Sequence, residues 1–364
     1  MRSTMKLGML AVAAAAVLFV DGCNNDSTPV ITQKAETYYQ VFAIETESDS
    51  DQMIIGSKEG VSVGRLEGGS VMVEKTYGAE TFADDHVRAL VSDTNGKYVV
   101  AGTNGGINVC LLDGNGAIGS VASYTVESTP SLESNNTNEM VLVDNMLIAS
   151  SYQWGIAMGE IDPQTGTIGA FVKLDTSSTP PLPQNTVTAL AVSGSKAYVL
   201  IGTQREGVAV AHYDAQTKRI DAITSSLDFN GTAYRFVHDI VVDPVLGMTL
   251  IASNGGITVA KLEDNGTLNV LHSFKSPELP FRQFNTIALS RDGKKMAAGT
   301  FASGLIVADL ETDGKLANIR TVTTQSPVSL GNDHVFSLAF SKDGSYLLVG
   351  SQSGQGDIIT AIGL

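Results

Sequence analysis

The 364-residue sequence predicts an all-β fold, a seven-bladed β-propeller of four-stranded antiparallel blades. Three observations predict it. A glycine opening an apolar, β-branched strand returns seven times, at spacings of 46 to 52 residues. Each return is flanked by short alternating strands and by Asn-Gly or Asp-Gly pairs, the residues tight hairpin turns favour. Beyond the N-terminal leader, no segment carries the apolar period of a helix. A fixed repeat near fifty residues with four strands in it is the pattern of a propeller blade.

The chain opens with an address. Arg2 and Lys6 precede an unbroken apolar run from Leu7 to Val20, short for a membrane span and right for a signal-peptide core. Val20-Asp21-Gly22-Cys23 resembles a bacterial lipoprotein signal, in which the cysteine is acylated and becomes the mature N-terminus. Asp21 departs from the small uncharged residue usual there. The reading is a signal peptide over residues 1–22 and a lipidated tether over residues 23–29, the latter polar from Asn24 to Thr28. The bland alternative is an ordinary exported protein with an incidental Cys23. Lipidation of Cys23 would leave Cys110 unpaired, in an apolar strand between Val109 and Leu111, as an inert core thiol.

Residues 30–364 read as the propeller. The marker glycine stands in Gly60-Val61-Ser62-Val63, Gly106-Ile107-Asn108-Val109 and Gly155-Ile156-Ala157-Met158. It returns in Gly207-Val208-Ala209-Val210, Gly256-Ile257-Thr258-Val259 and Gly304-Leu305-Ile306-Val307, and more loosely in Gly356-Asp357-Ile358-Ile359. This marker strand is the third of its blade. A first strand precedes it, as Val87–Val91 or Val335–Phe340, and then a second ending in a small residue, as Val99-Val100-Ala101-Gly102. A more polar fourth strand follows on the outer rim, as Val270–Phe274 or Ile319–Thr323. The last repeat ends at Leu364 after its third strand. Val30–Lys34 is the candidate fourth strand, closing the ring and covering a sheet edge.

Two stretches carry a family resemblance. Ser290-Arg291-Asp292-Gly293-Lys294 and Ser341-Lys342-Asp343-Gly344-Ser345-Tyr346-Leu347-Leu348-Val349 resemble the Ser-Pro-Asp-Gly-Lys…Tyr-Val repeat of YVTN-type propellers. The run from Gly256 to Leu268 is similar to a repeat of lactonase-like propellers, which include 6-phosphogluconolactonase-type enzymes. That resemblance implies the fold over residues 38–364. It carries no catalytic residue across, because the Pro-Arg-His common before first strands in that group does not occur in this sequence.

Composition narrows the function. The net charge of −15 and pI near 4.7 speak against a nucleic-acid partner, which would call for excess Lys and Arg. There is no Gly-x-Ser-x-Gly elbow, Walker loop or CxxC pair. Glu47-Ser48-Asp49-Ser50-Asp51 reads as a solvated turn, and Thr179-Pro180-Pro181-Leu182-Pro183 as a stiff exposed connection.

Candidate site residues gather where first strands begin, because propeller ligands meet the channel mouth. Aligning the repeats places Phe42, Arg88, Glu139, Thr188, His238, Ile287 and Phe336 at one position of blades one to seven. The mouth candidates are His86, Arg88, Glu139, Arg235, His238 and His334. In a catalytic reading, Arg88 pairs an anionic group and Glu139 or His238 moves a proton. In a structural reading, Arg88 and Glu139 form an ion pair between blades. The repeated pairs Asp85-His86 and Asp333-His334 suit a metal or, more simply, loop hydrogen bonds. No cofactor is expected. The leading expectation is a monomeric, lipid-anchored scaffold of the bacterial cell envelope that binds an envelope protein or a small ligand on a propeller face. Its membrane contact runs through the N-terminal lipid alone. The alternative is a lactonase-like hydrolase or isomerase acting on a small sugar acid or lactone.

Overall fold

The computed structural model describes residues 41–46, 52–82, 84, 86–113, 115–227, 236–326, 330, 333–352 and 358–364. The signal, tether, Cys23, the Val30–Lys34 closing strand, Glu47–Asp51, Asp85 and Arg235 lie outside these residues.

Seven antiparallel sheets follow one another along the chain. Blade one is β1 (Val41–Thr46), β2 (Gln52–Ser57), β3 (Gly60–Glu67) and β4 (Ser70–Tyr77). Blade two is β5 (Val87–Ser92), β6 (Tyr98–Thr103), β7 (Gly106–Leu112) and β8 (Ile118–Tyr124). Blade three is β9 (Thr137–Val143), β10 (Met146–Ser151), β11 (Gly155–Ile161) and β12 (Ile168–Leu174). Blade four is β13 (Val187–Val192), β14 (Tyr198–Thr203), β15 (Val208–Asp214) and β16 (Arg219–Leu227). Blade five is β17 (Val237–Val242), β18 (Met248–Ser253), β19 (Gly256–Leu262) and β20 (Leu268–Phe274). Blade six is β21 (Thr286–Leu289), β22 (Lys295–Gly299), β23 (Leu305–Leu310) and β24 (Leu316–Val322). Blade seven shows β25 (His334–Phe340), β26 (Tyr346–Gln352) and β27 (Ile358–Gly363) among the described residues. The predicted strand order and the seven-bladed all-β fold are what the structure shows.

The marker glycine has a steric reason. Gly256 sits at φ 127°, and a Cβ there would lie 2.0 Å from the carbonyl oxygen of Phe274. Gly106 repeats this, with φ 140° and 2.1 Å to the Tyr124 carbonyl. The third strand therefore begins by passing under the end of the fourth, where no side chain fits.

Apolar residues of each blade are buried against the next blade. Seven apolar clusters run through the described residues, one between each pair of neighbours. Blade four, for example, packs Leu200, Val208 and Val210 on Val237, Ile251 and Ala260 of blade five. The ring closes the same way. Ile44, Met53 and Ile55 of blade one meet Leu348, Ile359 and Ala361 of blade seven, and the Thr46 hydroxyl donates to the Phe340 carbonyl at 3.3 Å. Cys110 is fully buried within the cluster between blades one and two, and burial pushes its thiol up to about 12.

The connections between blades are not plain loops. Ser128-Thr129-Pro130-Ser131-Leu132 and Ser178-Thr179-Pro180-Pro181-Leu182 turn back so that Leu132 and Leu182 plug an interface. Leu279 and Leu330 do the same further on. In three of these connections the serine hydroxyl accepts a hydrogen bond from the backbone N–H of the residue that follows the fourth strand: Thr125 to Ser128, Asp175 to Ser178 and Thr323 to Ser326, each 2.9 Å. The leucine N–H then donates to that residue's carbonyl, at 2.9 Å for Leu132 and Leu182 and 3.3 Å for Leu330. Thr179, Pro181 and Pro183 are exposed, as expected of this connection, but Leu182 among them is buried, so the stretch also packs an interface.

Leu182→Ala should cost about 2–5 kcal/mol, the range for emptying a buried leucine site. Chemical denaturation of the variant, read beside a substitution at exposed Val245, checks this. A loss no larger than the Val245 control would contradict the plug.

Candidate functional site

The first strands β1, β5, β9, β13, β17, β21 and β25 line the channel, and their opening ends form its mouth. A bulge near that end sets which side chains project. In blade two Val87 pairs with Thr103 and Ala89 with Gly102, so Arg88 is skipped by the ladder. The same shift skips Thr188 in blade four, His238 in blade five and Phe336 in blade seven.

Blades three and six correct the sequence alignment, by one residue and by two. Thr137 pairs with Ser151 and Glu139 with Ser150, so the bulged residue is Asn138. Thr286 pairs with Gly299, which makes Asn285, and not Ile287, the mouth residue of blade six. Ile287 is 5% exposed and belongs to the core. The slip has a cause. Blades two, four, five and seven place a valine before the bulge, whereas blade three has Thr137, so the apolar column gave the wrong register.

Three of these bulge positions hold the ring together. Asn138 Nδ2 donates to the Val187 carbonyl at 3.5 Å, the Thr188 hydroxyl to the Val237 carbonyl at 2.5 Å, and Asn285 Nδ2 to the Val335 carbonyl at 2.5 Å. Two others are tied within their own blade. Arg88 Nε donates to Asn104 Oδ1 at 2.5 Å, and His238 Nε2 bonds Asn254 Oδ1 at 2.6 Å. Asn104 and Asn254 occupy matching loops before the marker glycines. Among the described residues no ion pair joins Arg88 to Glu139, so the expected inter-blade pair is not formed. Nor does any of these bonds connect Arg88, Glu139 and His238 to one another.

One step below the bulge, Glu139 and Asp239 occupy the same position in blades three and five, and Glu45 lies two residues further down in blade one. All three carboxyls are half-buried. Burial, then the charge of Asp239, push Glu139 up to about 8; the Met140 N–H, donating to it at 3.1 Å, opposes this, and Glu45 adds to the rise. Burial pushes Glu45 up to about 7 against the Ser92 hydroxyl. Burial pushes Asp239 up to about 6, although the N–H groups of Ile287 and Ile240 and the Thr286 hydroxyl all donate to it. Among the described residues no Lys or Arg forms an ion pair with any of the three. The channel therefore gathers acidic groups that hold their protons toward neutral pH, with Arg88 at the mouth and Arg291 and Lys342 beside the cavity that Glu45 lines.

Above the carboxyls lies an arc of rings. Phe236 stacks on His238 with centroids 4.3 Å apart. Phe301 meets His238 edge-on at 5.9 Å and Phe336 at 6.3 Å, and Phe336 meets His334 at 6.4 Å. The arc spans blades five, six and seven. Burial lowers the pKa of His238 below the ordinary imidazole value, the Asn254 bond opposing, which favours the neutral ring. Phe301, at the β22–β23 tip, is 45% exposed. Trp154 and Tyr152 at the β10–β11 tip are also exposed, on the same face of the ring.

The Asp-His pairs stand differently from each other. Asp333 accepts from the Thr324 N–H at 2.7 Å and from its hydroxyl at 3.1 Å. Asn135 and Asn185 make the matching backbone contact, accepting from Val126 and Thr176 at 2.7 and 2.8 Å. Asp333 is thus a loop tie shared by several blades. His86 uses its backbone N–H to bond Asp84 Oδ1 at 2.8 Å, while Asp85 and Arg235 are outside the described residues. The described residues hold no group of three His, Cys, Asp or Glu placed to bind a metal. His212 bonds Asp221 at 2.7 Å beside the Tyr198 ring.

With this geometry the chain is a β-propeller, a class that other proteins share. Residues 325–355, covering the first two strands of blade seven, match the model described as WD domain, G-beta repeat. The β-propeller domain of Cps50 (Swd1) from Myceliophteria thermophila superposes with a TM-score of 0.68 at 15% identity, covering 92% of this chain and 100% of that one. The extracellular domain of BT3049 from B. thetaiotaomicron, from a protein described as a hybrid two component system, superposes with a TM-score of 0.62. It too is 15% identical, with 89% of this chain and 40% of that one covered. These likenesses show the fold. No curated protein matches.

The carboxyl cluster makes stability depend on pH. Glu45, Glu139 and Asp239 hold protons more tightly folded than unfolded, so their contribution is fully present below about pH 4 and drains away as pH climbs to about 8. His238 acts in the opposite sense below its ordinary value near 6.5. The melting temperature should therefore fall between about pH 6.5 and 8.5, and Glu139→Gln should remove most of that fall. A melting curve as steep in the variant as in the parent would contradict the assignment.

Proposed function

We propose that the protein is an exported, lipid-anchored binding scaffold of the bacterial cell envelope. The leader over residues 1–22 and the Cys23 motif, which resembles a lipoprotein signal, support the anchor. The aromatic arc at the channel mouth carries the binding role. Phe301 stands exposed over rings that are half-buried, and an exposed aromatic above a concave mouth suits contact with a partner. Aromatic side chains give large contact area at small entropic cost, which suits an interface. The blades supply a rigid base, because each is locked to both neighbours. The face that bears Phe301 and Trp154 is the one offered to a partner protein.

A second reading has one observation in its favour. Glu139, raised to about 8, could exchange a proton near neutral pH, as a lactonase-like hydrolase or isomerase requires. Arg88 and His238 would have to leave Asn104 and Asn254 to act with it.

A photo-reactive residue at Phe301 or at Trp154 should capture an envelope protein in intact cells, and one at Val245, on the opposite face, should not. Equal capture at all three positions would contradict the assigned face. Cys23→Ser should abolish labelling by radioactive palmitate; persistent labelling would contradict the anchor. Turnover of a sugar-acid lactone that vanishes in Glu139→Gln would favour the second reading.

A further inference from the structure

We propose that the aromatic-rimmed mouth receives a basic side chain, a lysine or arginine on a loop of the partner protein, and directs its charge down toward Glu139, Asp239 and Glu45. The inference rests on the scaffold reading and names the chemistry of its partner.

Depth along the first strands supplies the geometry. His238 and Phe336 stand at the bulge, and Phe301 stands over both of them. Glu139 and Asp239 are one residue deeper, and Glu45 two more, about 7 Å at the rise of a strand. An entering side chain thus passes ring faces before it reaches carboxyls. Ring faces attract cations and the carboxyls attract them more strongly, so both layers select the same ligand charge. The long stem of lysine or arginine suits this sequence, since its methylenes can lie on phenyl rings while the head goes deeper.

The other channel groups agree with this choice. The seven first strands bring six titratable groups, namely Glu45, Arg88, Glu139, His238, Asp239 and His334. β13 has no titratable residue, and β21, with Asn285 before it, brings only neutral polar groups. Arg88 is the one permanent cation among the six. It stands on blade two, tied to Asn104, away from the arc on blades five to seven. Entry is thereby biased toward the rings. The same face already shows the contact once, where the Lys173 ammonium lies 5.2 Å from the Trp154 ring centroid. An anionic occupant would meet like charge as the carboxyls ionise above neutral pH. A protein loop is favoured over a small free cation because Phe301, 45% exposed at the mouth, can meet the methylene stem and backbone of a loop residue, which a small cation lacks.

The test uses the full chain in detergent and three short peptides, acetylated and amidated, identical but for a central arginine, citrulline or glutamate. Binding is read by NMR shifts of the protein. The arginine peptide should bind at about pH 8, and the citrulline and glutamate peptides about tenfold more weakly or not at all. Lowering the pH to about 5 should weaken arginine binding about tenfold, as the carboxyls gain protons. Glu139→Gln and Phe301→Ala should each weaken it by a similar factor at about pH 8. Phe301 is exposed, so its variant should fold even if the channel variant does not. Equal binding of arginine and citrulline peptides would overturn the proposal, as would no binding or indifference to both substitutions. Spermidine matching the arginine peptide in affinity and in its dependence on Phe301 would overturn the choice of a protein loop. If Phe301 still captures an envelope protein while the peptides show no preference for charge, the scaffold reading stands and this inference falls. If nothing is captured there, the scaffold reading falls first.

Discussion

The structure depends on the close approach of each blade to the next. In blades one, two, four and six the second strand carries a glycine where the neighbour's first strand presses in, and blades three and five place Ser150 and Ala252 there. A Cβ on Gly56 would sit 2.6 Å from Val87, one on Gly102 2.6 Å from Thr137, and one on Gly202 2.6 Å from Val237. With no side chain or only a small one in the gap, the apolar faces meet directly and close-packed contact is reached at each interface. A single blade would leave Leu200, Val208 and Val210, or their equivalents, in water. Folding of one blade therefore stabilises the next around the ring, as in other repeat architectures, with closure removing the terminal interfaces.

That packing also fixes the channel. Once the faces are locked, the first strands have one register, and the bulge turns a single residue per blade toward the mouth. Asn138, Thr188 and Asn285 use the position to clamp the following blade. Arg88 and His238 use it to brace an asparagine loop. The ring can carry Glu45, Glu139 and Asp239 at an energetic cost because its cohesion comes from interfaces elsewhere. Such a cost in a rigid, concave place is where a binding role is expected, since preorganised charge that waits for a partner is destabilising alone.

The repeat was legible because it is written in backbone geometry. Gly106 and Gly256 stand at positive φ beneath a carbonyl, so the marker could not drift to another residue. Leu182 was equally visible in principle, since Ser-Thr-Pro-x-Leu occurs twice and shorter versions follow, but a proline-rich stretch reads as surface until its leucine is seen to be buried. The register of blade three was not legible. Thr137 replaces the guiding valine, and a bulge moves a side chain by one place without changing composition. Glu45 escaped for a different reason. It stands alone in its column, and its meaning comes from Glu139 and Asp239, which are distant in sequence. The arc was hidden likewise, for Phe236, Phe301 and Phe336 fall in three separate blades and only the ring brings them together.

Burial raises three carboxyls in the channel, and the charges of Asp239 and Glu45 raise Glu139 further, while no Lys or Arg among the described residues forms an ion pair with them. Titrating the isotopically labelled side-chain carboxyls by NMR tests this most directly. Glu139 should titrate near 8 and Glu45 near 7, far from the surface carboxylates such as Asp343, held near 2 by the hydroxyl and N–H of Ser345. Removing the charge of Glu45 by Glu45→Gln should move Glu139 downward. Ordinary titration of both glutamates near 4.5, or a Glu139 midpoint unmoved by Glu45→Gln, would contradict the account.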